Sequence, residues 1–195
     1  MFFKAFKKMI YNVFCKFLFR VEFINSPEDS TYGNFVVCAN HSDWMDGVIL
    51  WSNTPNVRVM AKAELFKIPI WRTIILKAGA FPIKRAEKDF ASIYHAVKIV
   101  KSDKNNLVIF PEGTRMARQK HVKPKIGAIY ISLAGNVPIM PVYIQEKKKI
   151  FGKVKVVYGE NINYNIEKNE IKDKKLLNRL TMELMEGIYN LGKDI

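Results

Sequence analysis

The 195-residue chain has the length of one domain and is long enough to bury a real core. Hydrophobic residues make up 49% of it and aromatics 12%, which excludes a disordered or low-complexity polypeptide. A formal net charge of +14 points to anionic partners: nucleic acid, lipid head groups, phosphorylated substrates or an acidic carrier protein. In chain order, residues 2–19 read first, as an amphipathic helix. Phe2, Phe3, Phe6, Ile10, Val13, Phe14, Phe17 and Leu18 form a broad apolar face. Lys4, Lys7, Lys8 and Asn12 gather on a narrow polar side, with Lys16 at its edge. Such a wide apolar arc with basic polar residues suits a helix lying in the interface of an anionic membrane; the plainer alternative is a terminal helix covering the core. The lysines interrupt any cleavable-signal pattern, and no A-x-A-like site follows.

Downstream, strands are predicted over residues 21–24, 35–39, 57–61, 80–83, 107–110, 139–144 and 154–158. Helices are predicted over 44–51, 69–77, 88–102, 125–134 and 172–191. This alternation predicts an α/β fold: a mixed, mostly parallel sheet covered by helices, preceded by the amino-terminal amphipathic helix. The uncharged stretch 126–145 is long enough to span a bilayer, but Gly135, Asn136, Pro138 and Pro141 split it into helix and strand. No transmembrane helix is therefore expected. In the last helix Leu176, Leu180, Leu184 and Ile188 make a packing stripe. With no repeat or composition break, the organisation is a membrane-surface helix over residues 1–19 and a single domain over 20–195. Cys15 and Cys38 read as core residues in a reduced setting, and no metal site is expected. Lys147, Lys148 and Lys149 precede Gly152 in a hairpin connection and read as a solvated turn.

The chemistry concentrates in two places. Asn40-His41-Ser42-Asp43-Trp44-Met45-Asp46 follows a strand and opens a helix that Ser42 or Asp43 can cap. His41 and Asp46 are five positions apart, which on a continuous helix would turn them about 140° from each other. They meet only if His41 stands in the turn before the helix and Asp46 in its first turns, and the predicted strand–turn–helix supplies that corner. An Asp bonded to one imidazole nitrogen would set the tautomer and leave the other nitrogen as a general base. The alternative is a surface turn with a capping Asp. The second place is Phe110-Pro111-Glu112-Gly113-Thr114-Arg115, beyond an apolar strand, where open α/β sheets put their sites. Glu112 offers a carboxylate, Thr114 a hydroxyl and Arg115 a planar cation suited to phosphate, while Gly113 lets the backbone approach a ligand. Two supporting segments are Gly79-Ala80-Phe81-Pro82-Ile83-Lys84-Arg85, a strand ending in two cations, and the proline-flanked strand Val137-Pro138-Ile139-Met140-Pro141-Val142. His95 and His121 have no partner visible in the sequence.

In this order the four segments resemble the motifs of the glycerol-phosphate/1-acylglycerol-phosphate acyltransferase family, most closely its 1-acyl-sn-glycerol-3-phosphate acyltransferases. N-H-x-x-x-x-D falls at residues 40–46, G-x-F-P-I-x-R at 79–85, F-P-E-G-T-R at 110–115 and V-P-I-x-P-V at 137–142. Met116 departs from the pattern, since many relatives carry Ser there, and Lys62 and Glu64 match a further recurring feature. The resemblance implies that His41 removes the proton from an acceptor hydroxyl and that Asp46 orients it. Arg85, Glu112, Gly113, Thr114 and Arg115 would hold the phosphate and glycerol of lysophosphatidic acid, giving phosphatidic acid. It implies no cofactor or metal, an acyl donor that is acyl-carrier protein, acyl-CoA or acyl phosphate, and residues 20–195 as the acyltransferase domain. The enzyme would work at an anionic membrane surface, peripheral or interfacial on its cytoplasmic face, without nucleic acid. Direct transfer needs no nucleophilic residue, so Cys38 is expected in the sheet and Ser42 as a cap. Leu65, Phe66, Ile68, Ile70, Trp71, Ile74 and Ile75 could line an acyl slot, with core packing expected for most of them. Glycerol-3-phosphate or another lysophospholipid is the alternative acceptor. A non-enzymatic basic module binding anionic membrane or nucleic acid is a remoter reading, resting on net charge alone.

Overall fold

Short runs of Val, Ile, Phe and Ala, each bounded by a turn residue, form one seven-stranded sheet in the computed structural model. The structure describes residues 2–27, 33–83, 90–102, 105–115, 123–167, 169–193 and 195, with side chains from residue 5 onward except at 70 and 71. The strands are β1 (Val21–Ile24), β2 (Val36–Ala39), β3 (Val57–Lys62), β4 (Ala80–Ile83), β5 (Asn106–Ile109), β6 (Ile139–Ile144) and β7 (Val154–Tyr158). Their order is β1-β7-β6-β2-β5-β3-β4. β6, β2, β5, β3 and β4 run parallel, β7 pairs antiparallel with β6, and β1 lies parallel to β7. Parallel neighbours need a crossover, whereas the short segment after β6 folds straight back as a hairpin into β7.

The helices are α1 (Phe2–Ile10), α2 (Met45–Asn53), α3 (Pro69–Lys77), α4 (Phe90–Lys101), α5 (Gly127–Gly135) and α6 (Lys174–Asn190). β2 is central and wholly buried, and its period of two splits the core. Val37 and Ala39 meet Phe19, Met45, Ile49, Leu50 and Trp51 on one face. Val36 and Cys38 meet Ala96, Val100, Ile129, Ile131, Leu184 and Ile188 on the other. The terminal helix and α2 therefore cover one side of the sheet, and α4, α5 and α6 the other. Each such Leu or Ile, fully buried, contributes roughly 1.5–3 kcal/mol relative to exposure. Cys38 lies in the sheet as expected, with burial pushing its thiol up.

Local chemistry adjusts the predicted ends. α6 starts at Lys174 because the Asp173 side chain accepts the N–H groups of Lys175 and Leu176; a tight turn over Glu170–Lys172 comes before it. α5 stops at Gly135, where Asn136 adopts a left-handed φ of 53°. The amino-terminal helix is present but changes pitch. α-helical bonding runs over Phe2–Ile10 and wider π-type turns over Tyr11–Leu18, closing with the Phe19 N–H on the Phe14 carbonyl at 3.0 Å. Those turns set buried Cys15 beside the Ser52 hydroxyl at 3.1 Å, while Phe6, Ile10, Phe14 and Leu18 pack on the first core. Met9, Val13 and Phe17 stay exposed, so the helix both covers the core and presents a second apolar stripe outward. Among the described residues, no helix is long and apolar enough to cross a membrane.

The expected core packing fails for three of the seven apolar residues between 65 and 75: Leu65, Ile68 and Ile74 are exposed and belong to neither core cluster, Phe66 and Ile75 are half-buried, and the side chains of Ile70 and Trp71 lie outside the described residues. The three exposed residues lie on the turn Ala63–Lys67, at the junction with α3 and on α3 itself, which packs beside β4, the edge strand, and among the described residues no further layer covers them.

Candidate active site

β2 ends at Ala39 and α2 starts at Met45, so residues 40–44 form the corner the spacing demands. Asn40 anchors it: its buried amide donates to the Ile144 carbonyl at 2.8 Å and accepts the Ile144 N–H at 2.7 Å, tying the corner to the end of β6. His41 Nδ1 lies 3.0 Å from Asp46 Oδ2. The same oxygen accepts the N–H groups of Ser42 and Asp43, both at 2.7 Å. Asp46 is fully buried, which by itself raises its carboxyl pKa. The bond to His41, the Lys148 ammonium and the Asp43 N–H outweigh that and hold it below the usual carboxylate range. The imidazole also stacks on Phe110, with centroids 4.2 Å apart and planes 20° apart. A ring held by Nδ1 and one face presents Nε2 as its proton-accepting atom. Asp43 plays the capping part, its Oδ1 accepting the Met45 N–H at 2.8 Å. Ser42 does not cap; its hydroxyl donates to the Glu146 carbonyl at 3.3 Å and accepts from Lys148 at 2.9 Å.

The loop after β5 closes on this corner. Glu112 is 3% exposed; Oε2 accepts the His41 N–H at 3.2 Å and Oε1 accepts the Tyr189 hydroxyl at 2.6 Å. Burial pushes the Glu112 carboxyl up to about 7, against the pull of the Tyr189 and His41 bonds and with further push from Glu146 and Asp46. The Tyr189 phenol is pushed up as well, by burial and then by its bond to Glu112. Both oxygens of Glu112 are thus committed inside the protein, where its side chain braces the His41 backbone against α6. Gly113 has φ +70°, and a Cβ there would come within 3.0 Å of Lys125 Cε. Thr114 and Arg115 are half-buried at the end of the loop. His41, Glu112 and Arg115 all follow the carboxyl ends of parallel strands, and Lys62, paired with Glu64 at 3.3 Å, ends β3 on the same edge. Arg85, like Met116 and His121, lies outside the described residues. His95 is exposed on α4 and packs edge-on to Phe81.

Two further residues touch this corner. Lys148, read as part of a solvated turn, has a side chain only 3% exposed, and its Nζ lies 2.6 Å from Asp46 Oδ1. Tyr189 sits on the helix read only for its leucine stripe. Neither carries a local signal, since each acts through a partner distant in sequence. A cationic cleft of about 830 Å³ opens at the other end of the sheet, among Lys7, Lys8, Lys16, Arg58 and Lys77.

The His41–Asp46 pair lies at the carboxyl edge of a largely parallel sheet, where α/β enzymes carry their active sites. The family model described as Acyltransferase matches residues 20–145, and the chain belongs to that family. The 1-acyl-sn-glycerol-3-phosphate acyltransferase of Bacillus subtilis (strain 168) is 31% identical over 174 residues, 86% of this chain and 84% of that protein. Proteins of the same name from Streptococcus pneumoniae and Escherichia coli are 33% and 30% identical, over 56% and 64% of this chain and 40% and 52% of their own lengths. Among solved structures, the 1-acyl-sn-glycerophosphate (LPA) acyltransferase of Thermotoga maritima matches with a TM-score of 0.64 at 25% identity, covering 94% of this chain and 79% of that one.

Proposed function

We propose that the protein transfers a fatty acyl group from a thioester donor, acyl-carrier protein or acyl-CoA, to the sn-2 hydroxyl of lysophosphatidic acid. The observation that carries this reading is the 3.0 Å His41–Asp46 pair braced against the Glu112–Arg115 loop. His41 Nε2 takes the hydroxyl proton as the acceptor oxygen attacks the thioester carbonyl. The new C–O bond forms, the C–S bond breaks, and the imidazolium returns its proton to the leaving thiolate. Asp46 fixes the tautomer. Arg115, together with Arg85 by its place in the sequence motif, holds the acceptor phosphate through charge-assisted bonds, with Thr114 and Gly113 shaping the floor. Glu112 contributes by placing His41. The thioester is already an activated acyl group, so the reaction as drawn uses no metal or cofactor.

The same reading places the enzyme at an anionic membrane surface, on its cytoplasmic face, with residues 1–19 as the surface helix and 20–195 as the acyltransferase domain. Exposed Met9, Val13 and Phe17 support it. Phe17 meets exposed Phe151 edge-on at 5.6 Å, and Phe14 meets exposed Trp44, two residues before Asp46, at 6.3 Å. Exposed Lys8, Lys16, Lys147 and Lys149 come from the same two segments. An apolar stripe beside the His41 corner would deliver a lipid acceptor from the bilayer. The test is turnover on lysophosphatidic acid, glycerol-3-phosphate and other lysophospholipids with both donors. Phosphatidic acid is the expected product, and transfer to glycerol-3-phosphate with none to lysophosphatidic acid would overturn the acceptor.

A further inference from the structure

Three consecutive lysines follow β6, and they differ in environment. Lys147 and Lys149 are exposed, whereas the Lys148 side chain is 3% exposed. Its ammonium lies 2.6 Å from Asp46 Oδ1 and donates to the Ser42 hydroxyl at 2.9 Å. Burying an ammonium costs free energy that only a buried counter-charge and hydrogen bonds offset. Here the counter-charge is the carboxylate that orients His41. Asp46 therefore holds the imidazole with Oδ2 and the ammonium with Oδ1.

We infer that Lys148 is a positioning residue for acyl transfer: it locks Asp46 toward His41 and offsets the carboxylate's charge beside the imidazole. The inference rests on the proposed role of His41. A buried carboxylate with no counter-charge stabilises the imidazolium, and an imidazolium cannot accept the substrate proton. Among the described residues, the acids around the pair are Asp43 in the same turn, Glu112 from the loop after β5 with Tyr189 of α6 behind it, and Glu146 from the loop after β6, while Arg115 ends the Glu112 loop as a cation. Each acid in its charged form adds to the proton affinity that Lys148 opposes. The hairpin thus delivers a cation to the far side of the carboxylate from the ring. Removing that cation raises the affinity of the neighbouring ring for a proton.

The test compares wild type with Lys148→Met, Lys148→Gln and Lys148→Arg. The His41 imidazole, one of three histidines, is followed by NMR through a pH titration, a readout that needs no turnover. In the Met variant its midpoint is expected to rise by roughly one to two pH units, with the acid limb of log kcat/KM on lysophosphatidic acid moving by the same amount. Lys148→Arg should restore both curves, and Lys101→Met, at an exposed position at the end of α4, should leave them in place. Lys148→Gln keeps a hydrogen-bond donor without the charge and carries the test if the Met variant fails to fold. An unchanged midpoint in either folded neutral variant overturns the inference, as does a uniform loss of rate at every pH. If the wild type transfers no acyl group, the proposed function fails, and the NMR midpoint still decides on Lys148.

Discussion

Replacing Glu112 with glutamine tests whether the loop after β5 is held by a carboxyl group that resists ionisation. The group is 3% exposed, and burial moves it from its ordinary 4.5 up to about 7, with Glu146 and Asp46 adding to the push. Below 4.5 the carboxyl is protonated in both folded and unfolded chains, so it carries no penalty. Between 4.5 and about 7 the unfolded chain releases a proton that the folded chain keeps, so stability falls as pH rises, and above that the loss is complete. The full interval corresponds to about 3 kcal/mol. Glutamine mimics the protonated form: its oxygen can accept the His41 N–H while its amide donates to a reoriented Tyr189 hydroxyl. Relative to wild type, Glu112→Gln should therefore gain roughly 2–3 kcal/mol between about pH 5 and about pH 8, measured by urea unfolding with a common m-value. Parallel changes in the two proteins would refute the reasoning.

His41→Ala should lower acyl transfer by about 10²–10⁴-fold with the circular dichroism spectrum unchanged, because the base is lost while Asp46 keeps its other partners. Full activity in that variant would remove His41 from the mechanism. Gly113→Ala meets both a φ of +70° and Lys125 Cε at 3.0 Å, so a loss of about 1–2 kcal/mol is expected by thermal melting, with KM for the acceptor rising more than kcat falls. Phe17→Asp combined with Phe151→Asp places charge on two exposed, touching rings. Flotation with anionic vesicles should drop by about tenfold or more, and unchanged flotation would count against the membrane-facing stripe.

Much of the fold was legible in the chain. β1, β4, β6, β7 and α3 match the boundaries predicted from apolar runs and the breakers beside them. These elements are decided by hydrophobic period and turn residues, which act locally. The terminal helix was legible as amphipathic, but its change to π-type bonding after Ile10 was not, because that pitch serves the fit of Cys15 against Ser52 of α2. The surface exposure of Leu65, Ile68 and Ile74 was equally hidden: an apolar pattern does not say whether another layer will cover it.

At the site, the His41–Asp46 corner follows from the chain alone, since the five-residue spacing brings those groups together where a turn becomes a helix and not on a continuous helix. It also determined that Glu112 and Arg115 follow a buried strand on the same edge of the sheet. Long-range packing is what turns Glu112 inward to His41 and Tyr189 and buries the side chain of one of three identical lysines against Asp46 while its neighbours face solvent. The reason is one of range. Spacing within a turn is set by backbone geometry, whereas the burial of Lys148 depends on the β6–β7 hairpin folding across the β2–α2 corner, a contact that no local pattern encodes.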